Sequence, residues 1–140
     1  MSAVVALAES QDAAFAEFRC LVAERPLTSL AVPLEADLGD YVHILDPENP
    51  DYHDRLARVT WLRPTLNAPE EIWHLLLRRT GRVPLPRVYF LRQLQTSTDE
   101  APEWFVVVTQ PTEHGLRLKT WFVADEDYLD DYIRIAGERL

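Results

Sequence analysis

The hydrophobic period changes once along this chain, after Gly81, and that change limits the folds open to it. Before it, apolar residues recur at helical spacing. After it come β-branched and aromatic runs separated by turn signals: Val88 to Leu94, Trp104 to Thr109 and Leu116 to Val123. The loops between them, Gln95 to Glu103 and Gln110 to Gly115, are short enough that consecutive antiparallel pairing is the natural solution. Helices first and a strand meander afterwards predict an α+β domain: N-terminal helices, then a small antiparallel sheet, then a short acidic helix over about Glu126 to Ala136. That last helix should pack Tyr128, Leu129, Tyr132 and Ile133 inward.

The helical half can be read from its punctuation. Ser10 is positioned to cap a helix carrying Phe15, Phe18, Leu21 and Val22 on one face, which Pro26 ends. Leu27 to Leu34 fits an edge strand or an extended linker, and Tyr41 to Leu45 a short helix or turn. A helix is expected from Asp51 to about Leu62, closed by Pro64. Its pairs Asp51/Arg55 and Asp54/Arg58 have the acid on the favourable N-terminal side. Asn67-Ala-Pro-Glu70 then reads as a second helix start, with Ile72, Trp73, Leu75 and Leu76 following and a stop near Gly81. Trp73 is expected in the core. One domain is expected over 1–140, with 1–37 as an N-terminal helix and extended segment.

Composition sets the outer limits. The 47% apolar fraction and four tryptophans exclude a disordered chain. No apolar run approaches the roughly 18 residues of a membrane span, no secretory signal opens the chain, and a single cysteine, Cys20, allows no internal disulfide. A cytoplasmic protein is the expectation. The net charge of −9 opposes nucleic-acid binding in bulk, but it is unevenly spread. Residues 51–100 hold eight basic and six acidic side chains, a relatively basic island between acidic ends. Thirteen of the fourteen basic residues are arginine, suited to forked contacts with phosphate or carboxylate; a GC-rich coding bias gives the same skew.

No glycine-rich phosphate loop, dinucleotide fingerprint, His-Glu-x-x-His pair or cysteine cluster is present, so no cofactor and no metal is expected. Other segments carry a likeness. Asn67-Ala-Pro-Glu-Glu-Ile-Trp73 resembles the Asn-Pro-Asp-Glu-Ile-Trp signature of the phage-associated barnase/EndoU/colicin/RelE-like (BECR-fold) nucleases, departing from it by the inserted Ala68 and by Glu70 in place of Asp. Tyr41 to Leu45 resembles that family's apolar-His-Ile-Leu segment, and Asp54-Arg55-Leu56 with Arg58 its arginine-bearing helix. Thr65-Leu66 resembles the Thr-Leu before the signature. Tyr89-Phe90, Val106 to Val108 and Lys119-Thr120-Trp121-Phe122 resemble its sheet. The likeness covers roughly residues 38–135, and order and spacing carry it.

The resemblance implies metal-independent RNA cleavage. A base removes the ribose 2′-OH proton, the oxygen attacks the adjacent phosphate, an acid protonates the leaving 5′-oxygen, and a cation stabilises the phosphorane. His43 and His53 are the candidates for base and acid because histidine titrates near neutrality. The other reading makes them a carbonyl-tied and an exposed histidine. Arg55 and Arg58 are candidate phosphate clamps, or surface ion pairs worth only ~0.3–0.5 kcal/mol each. Thr120 matches the family's threonine. By strict alternation it faces inward with Leu116, Leu118 and Phe122, leaving Arg117, Lys119 and Trp121 on a cationic, aromatic face suited to phosphate contact and base stacking. Arg78, Arg79 and Arg82, with Arg87 beyond them, form either a backbone track for RNA or a helix C-terminus favourable to cations. His74 and His114 read as surface residues.

Two functions follow. One is a small ribonuclease of toxin or phage-effector type, acting on a shaped RNA such as a tRNA or ribosome-bound RNA and open to a basic neutralising partner. The other is a catalytically inactive acidic interaction module, such as an immunity, antitoxin or anti-defence protein.

Overall fold

A computed structural model describes residues 2–78 and 80–140. Strand β1 (Ala3–Val4) is followed by α1 (Gln11–Glu24), β2 (Leu34–Glu35), α2 (Leu38–Ile44) and α3 (Tyr52–Ala57). A 3₁₀ turn, Arg58–Trp61, links α3 to α4 (Leu62–Asn67). Strands β3 (Glu71–Leu77), β4 (Leu85–Gln95), β5 (Glu103–Pro111) and β6 (Leu116–Ala124) come next. The chain ends with α5 (Glu126–Leu129), a π turn over Asp130–Arg134 and β7 (Glu138–Arg139). The α+β class stands. Among the described residues, however, the sheet has seven strands and is mixed, and helices lie both before and after its main strands.

The sheet order is β2-β6-β5-β4-β3-β7, with β1 added to β4. Strands β3 to β6 form the antiparallel meander, while β1 and β2 join in parallel. The three β-periodic runs and their order are as the sequence predicts. Ser10 caps α1 by accepting from the Ala13 amide at 3.1 Å, and Arg25, in the left-handed region, ends it before Pro26. Of the Leu27 to Leu34 stretch only Leu34 enters a strand, the edge strand Leu34–Glu35, and Tyr41 to Ile44 is helical.

Two boundaries differ. Pro64 does not close the helix that begins at α3; it sits in the first turn of α4, where its missing N–H costs no hydrogen bond. The helix predicted from Asn67 to Gly81 is strand β3, paired with β4 from Glu71↔Leu91 to Leu77↔Leu85. The reason is an unbroken apolar run: side chains at its start pack on both faces, and Leu76 and Leu77 extend the run while staying exposed. Ile72 packs into the core beneath the helices, while Leu75 and Trp73 pack on the opposite face, so the run loses the alternation that marks a half-exposed strand. Trp73 is half-buried there, its indole donating to Glu71 at 2.8 Å.

Each face of the sheet has its own apolar layer. On one, Phe18, Trp61, Phe105 and Trp121 sit fully buried beneath α1, α3 and α4; truncating any of them to alanine should cost roughly 3–5 kcal/mol. The segment after β1 is held to this layer by the Trp61 indole, which donates to the Val5 carbonyl at 2.8 Å. On the other face, Leu91, Val106 and Val108 are covered by Leu129 and Ile133. Arg134 fastens that cover. Its guanidinium reaches Glu71 and Glu126 at 2.6 Å and Asp130 at 3.0 Å, and lies over the Trp104 ring at 5.3 Å. No helix among the described residues is long and apolar enough to cross a membrane.

Two outcomes test this frame. Burial alone would raise the Glu71 pKa, but hydrogen bonds from Arg134 and Trp73 outweigh it and hold the carboxyl below its ordinary value of 4.5. A depressed carboxylate contributes stability above its unfolded pKa and loses it as pH falls through the folded one. Urea midpoints should therefore drop on acidification below about pH 4.5, and Glu71→Gln should flatten that drop; an unchanged profile would remove Arg134 as the fastener. Second, Gly115 has φ +154°, and a Cβ there would lie 2.3 Å from the Pro33 carbonyl, where β2 joins β6. Gly115→Ala should cost about 1–3 kcal/mol by urea denaturation.

Candidate functional site along the edge of β6

The site begins with one extra residue. Pairing between β5 and β6 runs from Trp104↔Ala124 to Val108↔Thr120, then resumes at Thr109↔Leu118, leaving Lys119 as a bulge. Strict alternation placed Leu116, Leu118, Thr120 and Phe122 together. The bulge exchanges the faces beyond Lys119, because side chains alternate with a period of two. Trp121 is consequently fully buried with Leu118, its indole donating to the Arg55 carbonyl at 2.8 Å. Phe122 turns to the other face, against Tyr128. This corrects the predicted cationic, aromatic face. Trp121 is core, and Arg117 is tied to Asp40 at 2.8 Å and Asp37 at 3.5 Å beside the start of α2. Lys119 is exposed at the bulge itself.

Beyond the bulge, β6 and α3 enclose a cleft of about 450 Å³. Asp51, Asp54, Arg55 and Arg58 enter from the helical side as one stripe at helical spacing. Thr120 and Phe122 come from β6, and Asp125 and Tyr128 from the start of α5. The charges are layered. The arginine side chains are 18% and 11% exposed and lie deep, whereas Asp51 and Asp54 are 62% and 80% exposed and form a rim. Arg58 makes a forked contact with Glu103 at 3.1 and 3.2 Å, lies 3.6 Å from Asp54, and stacks over Trp61 at 4.9 Å. Arg55 is 3.8 Å from Asp51. The Nε atoms of both arginines are buried without an acceptor. Burial, with Tyr132 adding to it, raises the Tyr128 pKa, so its phenol is a proton donor at neutral pH.

The cleft thus unites Arg55, Arg58, Thr120 and the buried Trp121, four of the residues singled out from the sequence. The histidines do not line it. Two residues from both Asp51 and Arg55, His53 lies roughly 160° round the helix from each; it is exposed, its ring edge-on to Tyr52 at 5.1 Å. His43 is exposed on α2 and has no hydrogen bond or ion pair among the described residues. Lys119 is also absent from the lining.

The expected arginine track does not form at a helix end, because that helix is β3. Arg78 is exposed just past the strand, and Arg79 lies outside the described residues. Arg87 is buried within β4, donating to the Pro86 carbonyl at 3.0 Å. Sequence reasoning missed Tyr128, Asp125 and Glu103 as neighbours of the arginines. Only the Asp51-Asp54-Arg55-Arg58 stripe was readable in advance, from its spacing. Among the described residues, no group of three His, Cys, Asp or Glu side chains could hold a metal ion.

Set against protein-family models, curated proteins and solved structures, the chain matches none.

A cationic floor shared with carboxylates should take up a small anion only in competition with them. Glu103→Gln removes one competing charge from Arg58 and should strengthen inorganic phosphate binding about two- to fivefold, the equivalent of ~0.4–1 kcal/mol for a partly exposed pair. Titration followed by the Trp61 indole resonance reads this directly. Equal affinity in both proteins would mean that phosphate does not reach the guanidinium.

Proposed function

We propose that this chain is a metal-independent endoribonuclease of toxin or phage-effector type, acting in the cytoplasm through the cleft between α3 and β6. The observation that carries the reading is the meeting of Arg55 and Arg58 with Thr120, from distant parts of the sequence, in one cleft. The likeness of residues 38–135 to the BECR-fold nucleases supports it from the sequence side, since the arginine-bearing helix and the Lys-Thr-x-Phe segment are the parts that meet.

The chemistry draws on five side chains. A rim carboxylate, Asp54 or Asp51, accepts the ribose 2′-OH proton as that oxygen forms its bond to phosphorus. Arg55 and Arg58 neutralise the added charge on the phosphorane, and the Thr120 hydroxyl donates to it. The Tyr128 phenol, kept protonated, gives its proton to the leaving 5′-oxygen as the P–O5′ bond breaks. The products are a 2′,3′-cyclic phosphate and a 5′-hydroxyl. In this reading the base is a carboxylate in place of His43 or His53, and those histidines belong to the approach of a larger RNA. The acidic rim repels bulk nucleic acid and favours a shaped substrate, a tRNA or ribosome-bound RNA, whose fold delivers one phosphodiester to the floor.

End-labelled RNA incubated with the purified protein should yield cyclic-phosphate ends with chelator present, and a 2′-deoxy substrate should resist. Arg58→Ala and Thr120→Ala should each lower kcat by about a hundredfold, the usual loss on removing one transition-state donor, while His53→Ala leaves it unchanged. RNA that stays intact under all these conditions would overturn the proposal.

The layered charge favours a second reading. Each cleft arginine already has a carboxylate partner, and the chain carries a net charge of −9. That suits an acidic interaction module without catalysis. Expression separates the two: the nuclease arrests growth and Arg58→Ala relieves the arrest, whereas the module is harmless as wild type.

A further inference from the structure

The outer edge of β6 is only partly covered. Strand β2 pairs with Leu116 and Arg117 and goes no further, and among the described residues no other strand lies on that side. Lys119 then interrupts the ladder as a bulge. A lysine and a bulge are two of the usual means by which an edge strand avoids uncontrolled pairing, and both act at one position. Beyond them, Thr120 to Ala124 contains no proline, glycine or lysine, and it keeps regular pairing with β5 on its inner side. Backbone groups that point away from β5 along these five residues have no strand partner. The span is roughly 17 Å, enough for a short extended segment.

The charge around this stretch selects the occupant. The carboxylates of Asp51, Asp54, Glu103 and Asp125 against the guanidiniums of Arg55 and Arg58 and the exposed ammonium of Lys119, four negative charges to three positive, leave a net −1 beside the edge. Glu126, 58% exposed, lies beyond the rim with its charge paired to Arg134 at 2.6 Å. A second copy pairing here would bring two such rims together, and like charges so placed repel. A basic strand is attracted instead. Phe122 and Tyr128, in edge-to-face contact at 5.5 Å, offer an apolar wall for its alternate side chains.

We propose that Thr120 to Ala124 is a docking edge for an extended, arginine- or lysine-rich segment of a partner protein. The segment adds as a strand, with basic side chains toward the Asp51, Asp54 and Asp125 rim and aliphatic ones toward Phe122 and Tyr128. Main-chain hydrogen bonds give it affinity, and the rim gives it specificity. The segment would lie across the same cleft and exclude RNA while bound; its test reads binding and needs no catalytic activity.

The test uses the full chain, a capped peptide of alternating arginine and valine, and two versions of that peptide N-methylated on alternate amides, one in each register. Binding of the parent peptide should slow hydrogen exchange at amides within 120–124. N-methylation on the pairing side, which keeps charge and side chains, should weaken binding by about tenfold or more, as loss of hydrogen bonds worth ~1.4 kcal/mol or above requires. The double variant Asp51→Asn, Asp54→Asn, which removes the two exposed carboxylates paired with Arg55 and Arg58, should also weaken peptide binding severalfold and reduce its salt dependence. Three results would overturn the proposal: no binding, equal binding by both N-methylated registers and the parent, or protection confined to other residues. Self-association through 120–124 in the absence of peptide would overturn the choice of occupant.

Discussion

Lys119 stands in β6 as one residue more than β5 can match, and the rest of the site is arranged around that surplus. Without it, Trp121 would face away from the helices and Phe122 would be driven beneath them. With it, the tryptophan closes the layer under α1 and α3, and its indole bonds to the backbone of α3 at Arg55. That bond sets how far α3 stands from β6, hence the width of the cleft. Strand β2 pairs only as far as Arg117, short of the bulge, so the covered part of the edge lies before Lys119 and the uncovered part after it.

The second layer of the molecule rests on a different kind of interaction. Leu129 and Ile133 supply the apolar contact, but the short helix and π turn that carry them are held by Arg134, whose charge is shared among three carboxylates. The hydrogen bonds that Arg134 donates to Glu71 lead the causes that raise its pKa, so it stays charged throughout the accessible range. An acidic C-terminal segment is thereby bound to an acidic protein by one cation, which places the surplus negative charge outward.

Much of the architecture was legible in the sequence, for local reasons. Ser10, Pro26 and the β-branched runs of β4 to β6 announce themselves through neighbours a few residues away. Strand β3 did not, because its unbroken apolar run suits a helix equally well, and Asn67-Ala-Pro-Glu70 supplied a plausible start. The bulge did not, since an extra residue in a strand leaves no mark in its own segment; its partner strand defines it. At the site, the stripe Asp51-Asp54-Arg55-Arg58 follows from helical spacing, and the same spacing already turned His53 away from it. That Thr120 and Tyr128 complete the cleft is a fact of tertiary packing, beyond the reach of any local pattern.

The parallel strands carry a kinetic consequence. The meander from β3 to β6 joins neighbours in sequence, so its pairings close small loops and form early. Strand β1 must bring Ala3 to Leu94, and β2 must bring Leu34 to Leu116, across most of the chain. These two short additions are therefore the late events of folding. Until Leu34–Glu35 arrives, the whole length of β6 lies bare, and a newly made chain passes through a stage in which its most adhesive surface is longer than in the finished protein.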